Sequence, residues 1–407
     1  MGGRVDPSLA LDPLALGDDL RRVGRAAGLD AVGFAGAAPF VETRGLLEQR
    51  RADGLAAGMQ FTYRNPARST DPSRSLPGAR SLVVGARRYL RVAGRRPEAA
   101  VAGRVARYSW SDEYAPLRRG LEAVAARLAA DGWQTRVLAD DNALVDREAA
   151  RRAGLGWYGK NTNLLMPGAG SWFVLGSVVT DAALPPATPV ADGCGACERC
   201  LPACPTGALV APGVLDARRC LAWLVQAPGV FPVEYRVALG DRMYGCDVCQ
   251  DACPAIRRAA RTDPPGDAGP DAEPAVDVLW VLGAGDDELL DRLGRWYIPR
   301  REPRHLRRNA LLVLGNVADP DDPDVEAALR RALADPDALV RAHAVWAAAR
   351  LGRRELLVAV AGDPEGIVQA ELRSVGTVAA RGRPRQEVAV WRAAPERTRP
   401  LPPASRP

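Results

Sequence analysis

Cys194-Gly-Ala-Cys197-Glu-Arg-Cys200-Leu-Pro-Ala-Cys204-Pro205, then Cys220, then Cys246-Asp-Val-Cys249-Gln-Asp-Ala-Cys253-Pro254 hold all eight cysteines of the 407-residue chain. The C-x2-C-x2-C-x3-C-P spacing is an iron–sulfur run. Three closely spaced thiolates hold three corners of a four-iron cube, and the fourth corner needs a thiolate returning from elsewhere. In a run of this kind the fourth cysteine serves the other cluster. The second run has only three cysteines, and Cys220 supplies the missing one. Crossing the ligands gives one [4Fe–4S] cluster on Cys194, Cys197, Cys200 and Cys253. The other falls on Cys204, Cys220, Cys246 and Cys249. Zinc is the alternative, because it also uses C-x2-C pairs, but it gives no reason for runs closed by Cys-Pro. A cytosolic chain would not use such a cluster for disulfides.

Outward from the cysteines the chain divides by pattern. Residues 1–190 alternate strand-like and helical stretches. Asp30–Phe34, Ser81–Gly85, Thr135–Ala139 and Trp172–Val179 read as strands. Tyr114–Ala130 reads as an amphipathic helix with Leu117, Leu121, Val124 and Leu128 on one face. This predicts an α/β domain. Residues 191–262 form the loop-rich, ferredoxin-like two-cluster domain, and 263–275 a linker rich in Pro, Gly and Asp. From 276 to 380 the pattern is all-α. Leu306–Val317 echoes Val340–Leu351 at an offset of 34 residues, with Asp-Pro turns between, as HEAT-like repeats would. A plain helical domain with a chance echo is the alternative. The tail 381–407, rich in Pro and Arg, is expected to be disordered.

Hydrophobic residues make up 47% of the chain, which excludes general disorder. No apolar run approaches the length of a membrane span. The N-terminal segment carries Asp6, Asp12, Asp18 and Asp19 where a secretory signal would be apolar, so a cytoplasmic protein is expected. The formal charge of +6 is modest, and two anionic clusters reduce it further. An anionic partner must therefore meet a local basic patch.

Several weaker signals flank the cysteines. Gly154-Leu-Gly-Trp-Tyr-Gly159 matches G-x-G-x-x-G, but the run Ala143–Ala153 before it is helical. A dinucleotide site needs a strand there, so Gly154 reads as a helix C-terminal cap. Asp140-Asp-Asn142 either caps the following helix or presents a carboxyl at a strand end, and neighbouring residues can do both. Lys160 is the only lysine, placed where a point charge suits an anion, unless it is a coding accident. His305 and His343 are not assigned to metal, and no Ser-His-Asp or Cys-His site can be built.

The combination resembles the epoxyqueuosine reductases. It rests on Gly154-Leu-Gly-Trp-Tyr-Gly-Lys-Asn-Thr162, Gly170-Ser-Trp-Phe173, Leu215-Asp-Ala-Arg-Arg-Cys220 and Tyr244-Gly-Cys246, with Leu76–Ser81 and Ala106–Tyr108 toward the N-terminus. The resemblance implies an α/β domain that binds cobalamin, two [4Fe–4S] clusters and HEAT-like repeats. It also implies reduction of epoxyqueuosine to queuosine at the wobble position of tRNA, with electrons from an external donor. Asp140 falls on the family's acid, in an Asp140-Asp-Asn-Ala143 context. Arg64 falls on an early cobalamin-contacting arginine, and Lys160, Asn161 and Ser171 on positions lining the cofactor pocket. The family's Asp-Tyr-His stands here as Glu113-Tyr114-Ala115, without the histidine. A corrinoid reductive dehalogenase and a non-enzymatic ferredoxin-type electron carrier are the competing readings, and a monomer is expected. Arg304, Arg307, Arg308 and Arg341 are expected to align as a tRNA surface on the repeats, or else to pair with Asp319, Asp321 and Asp322.

Overall fold

The computed structural model describes residues 12–93, 99–262 and 265–378; the expected disordered tail lies outside them. The four expected strands form one sheet in the order Ala31–Gly36, Ser81–Arg88, Phe173–Thr180, Thr135–Ala139, with every neighbouring pair antiparallel. Val83 faces one core and Leu82 and Val84 the other, the two-residue period of a strand buried on both faces. The helix Tyr114–Ala130 covers the first face through Leu117, Leu121, Val124 and Leu128. It packs against Gly85 and Gly176, which are register partners. A Cβ at either would stand 2.9 or 2.7 Å from the Leu121 side chain, so this close seat requires glycine at both positions.

The run before Gly154 is helical only over Asp146–Arg152. Its first residues are drawn off the helical path, where the Val145 N–H donates to the Ser69 carbonyl at 2.9 Å. Gly154, at φ +70°, ends the helix in the left-handed conformation, and a short strand, Trp157–Tyr158, follows. Helix before and strand after is the reverse of a dinucleotide fingerprint.

The second core draws on three regions of the chain. Strand Ala102–Val105 lies between Arg242–Tyr244, two residues before Cys246, and Ala275–Asp277, which starts at the last residue of the expected linker. Val101, Val105 and Trp110 join Leu221, Phe231, Leu239 and the C-terminal helices in one apolar cluster. The helices Arg304–Val317 and Ala338–Leu351 are both 14 residues long and start 34 apart, as the echo predicts. Among the described residues no helix is long and apolar enough to cross a membrane.

The expected arginine surface on the repeats is overturned. Arg308 is fully buried and donates to the carbonyls of Leu224, Val225, Ala227 and Gly229 at 2.6–3.1 Å. Burial, with Arg236 adding to it, pushes its guanidinium down to about 9. Arg307 pairs with Asp286 at 2.6 Å, Arg341 with Asp363 at 2.6 Å, and Arg304 with Glu302 and Asp337. None of these partners is Asp319, Asp321 or Asp322. His305 and His343 are buried too, accepting the backbone N–H groups of Gly229 and Phe231. Together these side chains fasten the segment 224–231 to the repeats. Arg308→Ala strands four carbonyls inside the protein, and each such group costs about 1–3 kcal/mol. The expected result is a loss of stability of about 3 kcal/mol or more, read as a lower denaturant midpoint.

Candidate functional site

The eight thiols gather into two groups. Cys200 is influenced electrostatically by Cys194, Cys253 and Cys197. Cys249 is influenced by Cys246, Cys220 and Cys204. These are the two quartets expected from the spacing. Burial, before the neighbouring thiols, raises Cys220 to about 11 and Cys249 well above the ordinary thiol value. Cys204 differs: burial raises it, but N–H groups from Thr206, Ala208 and Leu209 outweigh this and hold it low. Its sulfur accepts the Ala208 N–H at 3.2 Å.

Each quartet has a buried N–H without a protein acceptor. Trp157 Nε1 is one, and its ring presses on Gly193, next to Cys194. Arg219 Nε is the other, adjacent in sequence to Cys220. An iron–sulfur cube offers sulfides that accept such bonds. Among the described residues no three Cys, His, Asp or Glu side chains converge as a single ion requires. A single zinc with sulfur ligands about 2.3 Å away needs that tighter arrangement. Eight thiols in two groups of four are the number and kind of donor that two four-iron clusters use.

Asp140 stands just past the end of strand Thr135–Ala139, with φ at +53°. Asp tolerates this left-handed geometry better than most residues. Arg118 holds the strand end by donating to the Ala139 carbonyl at 2.6 Å. Asp141 accepts the Ala143 N–H at 2.9 Å, closing a turn, and leaves the Asp140 carboxyl exposed. The helix begins only at Asp146, with Val145 at its N-cap and no side-chain cap, so the expected capping by Asp140, Asp141 or Asn142 does not occur and Asp141 closes a turn ahead of the helix. The surrounding protein still displaces enough water to raise the Asp140 carboxyl above its ordinary value. Arg118 opposes the shift, while Asp112 and Asp141 add to it.

Asp146 was not singled out from the sequence, where a lone Asp opening a helix is unremarked. Burial first, then the charge on Asp140, pushes its carboxyl well up. Asp140 also acts on the buried hydroxyls of Tyr114 and Tyr244. Tyr244 lies two residues before Cys246. Glu113 is turned elsewhere, to Arg87 at 3.2 Å, and Ala115 adds no polar side chain.

The other expected cofactor contacts are placed less simply. Asn161 donates to the Cys249 carbonyl at 3.3 Å, and Ser171 Oγ accepts from Gln250 at 3.0 Å. Both are buried and clamp the second cysteine run to the α/β half. Lys160 is not left open for an anion: it pairs with Glu198 at 3.3 Å. Arg64 is exposed, lining a separate shallow recess with Arg51, Gln60 and Tyr63.

Comparisons with known proteins agree with this layout. Residues 193–255 match the family described as a 4Fe-4S double cluster binding domain, and residues 287–375 match HEAT repeats. The epoxyqueuosine reductase of Xanthomonas campestris pv. campestris is 37% identical over 354 residues, covering 84% of this chain and 98% of that protein. That of Bacillus cereus is 33% identical over 345 residues, covering 83% and 89%. A crystal structure of epoxyqueuosine reductase with an epoxyqueuosine-modified tRNA-Tyr stem loop superposes with a TM-score of 0.82. It is 28% identical, with 91% of this chain and 100% of that chain covered.

Proposed function

Because the chain belongs to the epoxyqueuosine reductase family, we propose that it reduces epoxyqueuosine to queuosine in tRNA, using cobalamin and two [4Fe–4S] clusters. One observation carries the site assignment: Asp140 stands past the end of strand Thr135–Ala139, open to solvent and with its carboxyl raised, where a substrate can take its proton. Epoxide reduction consumes two electrons and two protons and releases water. Cys194, Cys197, Cys200 and Cys253 hold one cluster, and Cys204, Cys220, Cys246 and Cys249 the other. When bound, cobalamin supplies a low-valent cobalt able to reduce the epoxide.

The residues themselves bind and move protons. Asp140 gives its proton to the epoxide oxygen as the C–O bond breaks. Asp140, open to solvent, takes up the second proton from water, while Asp146, whose carboxyl is raised further by burial and the Asp140 charge, keeps its own. Tyr114 and Tyr244, raised by burial, keep their hydroxyl protons within the field of the acid. Asn161, Ser171 and Lys160 serve the cofactor side by fixing the loops around it, and Arg64, assigned to the cofactor by the family resemblance, is exposed and open to a ligand.

Anaerobic reconstitution with iron, sulfide and cobalamin tests the reading. About eight irons and one cobalt per chain are expected, together with conversion of epoxyqueuosine tRNA to queuosine tRNA. Iron without cobalt and without conversion would leave a ferredoxin-type electron carrier.

A further inference from the structure

The first cysteine quartet reaches the surface. Every residue from Ala191 to Arg199 is exposed except Cys194, which is partly covered, and Cys197 is itself exposed. The helix Pro254–Thr262 begins one residue after Cys253, a member of the same quartet. It buries Ile256 and Ala259 and turns Arg257, Arg258 and Arg261 to solvent. Arg257 and Arg261 are four residues apart and so share one face. With Arg199 they form no ion pair among the described residues. The acids nearby are engaged: Asp192 accepts the Cys194 N–H at 2.9 Å, and Glu198 pairs with Lys160. In the second quartet all four thiols are partly covered and none is exposed, so the Cys197 side of the first quartet is the more open approach.

We propose that the face formed by Arg199, Arg257 and Arg261 beside Cys197 docks a small acidic one-electron carrier protein, and that electrons enter there. Each encounter oxidises the carrier by one electron and reduces the cluster by one. Two encounters supply what one epoxide takes up. Weak, electrostatically guided contacts of small area are typical of such electron-transfer partners. RNA is less well suited to this face. Neither 191–199 nor 254–262 contains an aromatic side chain on which an unstacked base could lie.

The inference rests on the iron–sulfur reading above, and iron content separates the two. In the reconstituted protein, Arg257→Glu with Arg261→Glu should weaken binding of an acidic oxidised flavodoxin about 10-fold or more at low salt and flatten its salt dependence. The rate of cluster reduction by reduced flavodoxin should fall with it. Iron content, tRNA affinity and dithionite-driven turnover should stay unchanged. The milder pair Arg257→Gln and Arg261→Gln, expected to act in the same direction, serves if the charge reversal lowers iron content. Unchanged flavodoxin affinity and salt slope would overturn the proposal. A parallel loss of tRNA affinity would overturn it too, by making the face an RNA surface. Parent protein without iron would overturn the cluster reading itself.

Discussion

Asp140→Asn is expected to lower turnover of epoxyqueuosine tRNA about 10²- to 10⁴-fold, the usual contribution of a positioned proton donor. Iron content, cofactor binding and tRNA affinity should be unchanged. Asn has the same size and tolerates the left-handed backbone that Asp140 adopts at φ +53°, so the strand end should keep its shape. The Ala139 carbonyl remains held by Arg118, and the turn by Asp141. Only the proton is lost. The pH profile gives a second readout. A donor acid works in its protonated form, so parent turnover should fall as pH rises through the raised Asp140 value. In Asp140→Asn that descending limb should be absent from whatever activity remains. Near-normal turnover in the variant would reduce Asp140 to a strand-end residue without a part in the chemistry.

The other large effect concerns ligand crossing. Cys204→Ala should remove the cluster shared with Cys220, Cys246 and Cys249, although Cys204 belongs to the first cysteine run. Iron should fall from about eight to about four per chain, with one spectroscopic signal retained. The retained signal should be that of the cluster on Cys194, Cys197, Cys200 and Cys253. Loss of that cluster instead would show that each run closes on itself. Cys204 is also the thiol held below its ordinary value by backbone N–H groups, so it gives up its proton to a metal more readily than its partners.

What was legible in the sequence was periodic or locally spaced. Short apolar runs located all four strands of the main sheet, and three-and-four spacing located Tyr114–Ala130 to the residue. The 34-residue echo located both long repeat helices. Cysteine spacing anticipated the two thiol groups, because ligand geometry constrains local spacing directly. The arginines were not legible in this way. Arg307 and Arg308 are adjacent and alike in sequence, yet one pairs with Asp286 near the surface and the other sits among carbonyls of a distant segment. Charge can be read from a letter; burial depends on what the chain brings over it. Asp146 was missed for the same reason, since its raised carboxyl depends on enclosure and on Asp140. The cofactor contacts carried by resemblance showed a different gap. Asn161 and Ser171 meet the second cysteine run through Cys249 and Gln250, a pairing that no local motif encodes.

The strand Ala102–Val105 has a consequence for how the protein is made. Its two neighbours, Arg242–Tyr244 and Ala275–Asp277, are synthesised long after it, and a chain leaving the ribosome folds from its N-terminal end. The four-stranded sheet can close once Thr180 has emerged, but Ala102–Val105 must wait with both edges unpaired. Unpaired edges invite aggregation. Tyr244, which ends the first of those late partners, stands two residues before Cys246. Cys246 therefore reaches its place only when that strand docks, and docking is completed only when Ala275–Asp277 arrives from the far side. A slow ribosome thus prolongs an intermediate in which the surroundings of Cys246 are still unbuilt.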